Sequence, residues 1–155
     1  MLESHVTSLL TYLKEYSSRT RAVPPEPIKV LVVDDEEPVR KFVERVLGDA
    51  GYQIEVAGDG SEALEVAQKI GQFEILVTDL MMPRMSGDEL ARRLRQSEPA
   101  LKVLYLTGYS DQLFKEKATL WQDEAFLDKP CSVKGLAEAV SLLLYGTLET
   151  PSPAA

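Results

Sequence analysis

The chain has 155 residues, enough for one ordinary domain with a short appendage, and its 45% apolar share is sufficient for a core. A net charge of −8 argues against non-specific nucleic-acid binding, which needs clustered Lys and Arg. No apolar run approaches the ~18 residues that span a bilayer, and the lone Cys131 leaves no internal disulfide, so a reducing, cytoplasmic setting is expected.

Leu2, Val6, Leu9, Leu10 and Leu13 recur at helical spacing, so residues 1–22 read as an amphipathic helix without an export pattern. A Pro-rich linker, 23–27, follows. Strand-like and helix-like segments then alternate over 28–146. The strands are IKVLVV, QIEVA, EILVTD, LKVLYL and EAFLD. The helices cover Pro38–Asp49, Ser61–Ile70, Asp88–Arg95, Asp111–Leu120 and Val133–Leu144. Three of the strands are continuous apolar runs, as expected where helices cover both faces of a parallel sheet. The alternation predicts a doubly wound α/β domain with a flexible tail at 147–155.

Ligands of such sheets bind beyond the carboxyl ends of the strands. There the first strand leads into Asp34 and Asp35, the third ends in Asp79, the fourth in Thr107, and the fifth leads into Lys129. Three carboxylates suit a hard, oxygen-seeking cation such as Mg²⁺, with the Met81 backbone carbonyl as a further oxygen. A carboxylate can also act as a nucleophile and become an aspartyl phosphate, with one Mg²⁺ and one lysine neutralising the transferred charge. Glu36 and Glu37 read instead as acids favoured at a helix start, ahead of Pro38 in its first turn. His5 lacks the flanking pattern of a phosphodonor histidine and reads as a solvated side chain.

The segments VLVVDDEEPVR, ILVTDLMMPRMSGDEL, VLYLTGYSD and AFLDKP together resemble the receiver domains of two-component response regulators, in order and over about residues 28–146. That resemblance implies a flavodoxin-like five-stranded parallel sheet of order 2-1-3-4-5. It implies Asp79 as phosphoacceptor, Asp34 and Asp35 as Mg²⁺ ligands, Thr107 as the switch hydroxyl, Lys129 as the phosphoryl contact and Phe126 as the switch aromatic. The Lys129–Pro130 bond is expected to be cis. The partners implied are a histidine kinase or phosphotransfer protein and an unknown downstream protein, without nucleic acid or membrane. A homodimer is left open, through the N-terminal helix or the face of the last two helices. With about ten residues after the last helix, output is expected by protein contact or phosphorelay, and the chain is expected to be no enzyme.

Three rivals remain. A flavin carrier of similar fold would need a Ser/Thr/Gly-rich phosphate loop where this chain places four acids. An aspartyl-phosphate hydrolase would show a second acid where Met81 stands. A degenerate receiver could serve as a phosphorylation-independent scaffold, but the full polar set argues against it.

Overall fold

The run Lys29–Val33 (KVLVV, β1) is β-branched and apolar almost throughout, and all but its first residue are buried. Such a strand needs cover on both faces, and among the described residues a helix follows four of the five strands. In the computed structural model, which describes residues 27–108 and 123–146, the order after β1 begins with α1 (Glu37–Asp49), β2 (Gln53–Ala57) and α2 (Gly60–Ile70). Then come β3 (Ile75–Asp79), α3 (Gly87–Leu94), β4 (Lys102–Thr107), β5 (Glu124–Asp128) and α4 (Val133–Tyr145). The expected N-terminal helix, all but the last residue of the linker, the tail and the expected helix at Asp111–Leu120 lie outside the described residues.

All four strand pairings are parallel, and the sheet runs β2-β1-β3-β4-β5, the order the resemblance implied. Alternate residues of each strand feed two cores. Leu31, Val33, Leu76 and Tyr105 pack with Ala63 of α2 and Leu90 and Leu94 of α3. On the opposite face Val30, Val32, Ile75 and Val77 pack with Val43 and Leu47 of α1 and Leu136 and Val140 of α4. Element ends depart from the sequence reading by a residue. Helix α1 starts at Glu37 rather than Pro38, α3 starts at Gly87 and ends at Leu94, and β3 omits Glu74.

Short polar caps start three of the helices where the sheet ends. Asp59 accepts from the Glu62 amide at 2.8 Å, Ser86 from Glu89 at 3.4 Å, and Ser132 from Gly135 at 2.9 Å. Helix α1 differs: its N-cap Glu36 makes no side-chain cap, and Glu37 and Pro38 occupy the first turn. Glu37 pairs instead with Lys41 one turn on, at 2.9 Å.

The connection after β3 is held tightly against the strand end. The Gly87 amide donates to Leu80 O at 2.8 Å, and a Cβ at Gly87 would stand 2.2 Å from the Asp79 carbonyl oxygen. Only glycine fits there, so α3 starts directly against the residue that ends β3.

Candidate functional site

Order 2-1-3 reverses the chain's direction of travel between β1 and β3, which opens a crevice at their carboxyl ends. Asp34 follows β1 and is buried, Asp35 beside it is exposed, and Asp79 closes β3 and is buried. One carboxylate oxygen from each of the three lies within 4.8 Å of the others. Lys129, just past β5, inserts its ammonium between two of them, 2.8 Å from Asp34 Oδ2 and 3.1 Å from Asp79 Oδ2.

The backbone fixes both buried acids. Asp34 Oδ1 accepts from the Glu36 amide at 2.9 Å, and Asp79 Oδ1 accepts from the Met81 amide at 3.1 Å. The Lys129 amide donates to Thr107 O at 3.1 Å, which ties the lysine to the end of β4, and the Lys129–Pro130 bond is cis. Asp34 Oδ2 is buried and accepts no hydrogen bond, even though the Lys129 ammonium is at ion-pair distance. At 2.8 Å the ammonium meets that oxygen as a close charge pair.

The charges answer one another. Burial raises the Asp79 carboxyl above its ordinary range; Lys129 opposes this and the neighbouring Asp34 adds to it. Burial works against the Lys129 ammonium, but Asp34 and then Asp79 outweigh it, and the net shift is upward. Two buried carboxylates around one ammonium leave the site with surplus negative charge, and Asp35 adds to it at the rim.

Thr107 ends β4 fully buried, and Phe126 stands opposite Tyr105 in the β4–β5 register, packed against the core on the α2–α3 side. Met81 is 42% exposed and lines a recess of about 940 Å³ together with Asp35, Asp79, Gly108 and Lys129. That recess continues over Val39 and Phe42 of α1 to Pro130 and Cys131, whose thiol is pushed up by burial. The structure thus gathers Asp34, Asp35, Asp79, Met81 and Lys129 at one place, with Thr107 and Phe126 on the strands alongside; His5 is outside the described residues.

Two features escaped the sequence. The Arg40 guanidinium donates to the Asp34 backbone carbonyl at 2.7 Å, and only a basic residue in the second turn after the acids hinted at it. Away from the site, Arg95 at the end of α3 donates to Glu124 Oε2 at 2.7 Å, as does the Tyr105 hydroxyl at 3.0 Å.

The acid cluster fits a hard divalent cation on its own chemistry. All donors are oxygen, one buried oxygen lacks a hydrogen bond, and one ligand faces solvent where retained waters would sit.

Residues 30–141 match the response regulator receiver domain family. The chain is 38% identical over 116 residues to the sensor kinase CckA of Brucella abortus, a match covering 74% of this chain and 12% of that protein. It is 31% identical over 116 residues to the response regulator receiver protein CpdR of the same species, covering 75% of this chain and 96% of that one. Among solved structures it resembles the response regulator TrrA of Thermotoga maritima in complex with Mg²⁺ and BeF. The TM-score there is 0.64 at 32% identity, covering 75% of this chain and 98% of that one.

Proposed function

The chain belongs to the response regulator receiver domain family, and from that premise we propose that Asp79 accepts a phosphoryl group from a phosphohistidine donor, switching what the domain binds. The observation that carries the reading is the Lys129 ammonium lying against Asp34 and Asp79 within a three-carboxylate cluster at the strand ends.

An Asp79 carboxylate oxygen attacks the phosphorus as the bond to the donor imidazole nitrogen breaks, and the electron pair leaves with the imidazole. The Met81 amide holds Asp79 Oδ1, which leaves Oδ2, the oxygen paired with Lys129, as the nucleophile. Lys129 then exchanges its carboxylate contact for the new phosphoryl oxygens, and the Thr107 hydroxyl donates to another of them. Phe126, on the neighbouring strand, changes its packing as Thr107 moves toward the phosphoryl group, which carries the event to the surface. Asp34, Asp35, Asp79 and the Met81 carbonyl would hold Mg²⁺, which neutralises charge on the phosphoryl oxygens during transfer. The likeness to a response regulator solved with Mg²⁺ and BeF supports that choice of ion.

In this reading 28–146 is the receiver, with 1–22 and 23–27 before it and 147–155 after it. The donor is a histidine kinase or phosphotransfer protein, the setting is cytoplasmic, and the output is protein contact or relay. No helix among the described residues is long and apolar enough to cross a membrane.

Intact-mass measurement after incubation with acetyl phosphate tests the reading. A labile adduct of one phosphoryl group is expected with Mg²⁺ and not with chelator, and not in Asp79→Asn. No adduct, with no Mg²⁺ bound in a titration, would favour the phosphorylation-independent scaffold.

A further inference from the structure

We propose that Arg40 is a positioning residue for the acidic turn: by holding the Asp34 carbonyl it sets how the Asp34 and Asp35 carboxylates face the cation. The inference rests on the Mg²⁺ reading above and goes beyond it by adding a residue that touches neither cation nor phosphoryl group.

Asp34 sits where β1 has ended and α1 has not begun, so its backbone leaves the ladder while the residue is still buried. Its amide is the last to reach β2, donating to Ala57 O at 3.3 Å. Its carbonyl has no strand partner left, and a buried carbonyl needs a donor. Arg40 supplies one at 2.7 Å, from a helix whose own amide at Arg40 is anchored to Glu36 O at 3.0 Å. The bond therefore closes a small ring: β1 end, acidic turn, first turn of α1, guanidinium, and back to the carbonyl of Asp34. Within that ring lies the Glu36 amide that holds Asp34 Oδ1. With carbonyl and Oδ1 both held, Oδ2 of the Asp34 carboxylate is turned toward Lys129. A charge-assisted bond of this length is among the stronger single contacts available to a backbone carbonyl.

The guanidinium also brings a positive charge close to the acids, and charge alone would weaken cation binding. Positioning and charge thus have opposite signs for Mg²⁺ affinity, which separates them. Arg40→Gln removes both; Arg40→Lys keeps the charge and a shorter donor. Positioning predicts that Arg40→Gln binds Mg²⁺ about tenfold more weakly than the parent by calorimetry, with Arg40→Lys in between. Equal or tighter binding by Arg40→Gln would overturn it. A parent that binds no Mg²⁺ would take down the metal reading, and this inference with it.

A metal-free readout stands beside that one. In chelator, hydrogen exchange at the Glu36 amide is expected to quicken in Arg40→Gln while Val77 in the core of β3 stays as slow as in the parent. An unchanged Glu36 rate overturns the proposal. So does an equal acceleration at Val77, which would make Arg40 a general stabiliser.

Discussion

Asp79 stands in a place that disfavours its charge. Its carboxyl is raised chiefly by burial, with Lys129 only partly offsetting this. A folded-state value above the unfolded one means that the contribution to stability is present at acid pH, below the unfolded carboxyl range, and is lost as pH rises through the folded value. At pH 7 the ionised Asp79 therefore works against folding in the absence of metal. Asp79→Asn is expected to melt higher than the parent in chelator, and saturating Mg²⁺ is expected to narrow or reverse that gap by raising the parent alone. Thermal midpoints of the two proteins, each with and without Mg²⁺, check this. A variant less stable than the parent in chelator would contradict the account of the site as charge-strained.

Among the elements, another buried ion pair lies remote from the acids. Arg95 at the C-cap of α3, Tyr105 in β4 and Glu124 at the start of β5 meet in the interior, with Arg95 also donating through Nε and Nη2 to Leu101 O. The Arg95 and Glu124 side chains are 7% and 0% exposed. An ion pair this buried gains little over an apolar pair of the same shape, but removing one partner strands the other. Glu124→Ala is expected to cost about 3–5 kcal/mol in urea unfolding, while replacing Arg95 and Glu124 together with apolar residues costs much less than the sum of the single changes. Additive losses would show the two side chains to be energetically independent. This triad was not legible in the sequence, because Arg95 and Glu124 are 29 residues apart and Glu124 alone reads as a polar strand start. The strands were legible for the opposite reason: doubly covered strands must be apolar on both faces, and VLVV and ILV are.

At the scale of the molecule, the parallel order explains why the site could be anticipated from residue positions alone. Every strand ends at the same edge, so Asp34, Asp35, Asp79, Thr107 and Lys129 converge there, however far apart they are in sequence. What periodicity could not supply was the backbone chemistry of the turns, such as the Arg40 bond to a main-chain carbonyl. Nor did it supply the way the C-terminal helix is closed onto the α1–β2 turn. There Tyr52 is buried against Tyr145, and its phenol is pushed up to about 12, by burial first and then by Tyr145. Its folded value lies above the ordinary 10.0, so its stabilising contribution is complete below pH 10 and is lost as pH rises toward 12. Burial raises Tyr105 in the same direction. Denaturant unfolding is expected to show stability falling by about 2 kcal/mol or more across that interval, with Tyr52→Phe flattening part of the fall. A profile flat to pH 12 would contradict this packing of the two tyrosines.

The claim on which the functional account depends is that the phosphoryl group resides on Asp79. The most direct measurement treats the acetyl-phosphate-loaded protein with borohydride, which reduces an acyl phosphate to the alcohol, and reads the modified residue by tandem mass spectrometry. Homoserine is expected at position 79 in Mg²⁺, and unmodified aspartate there in chelator. Reduction at Asp34 or Asp35, or at a residue outside the cluster, would contradict it.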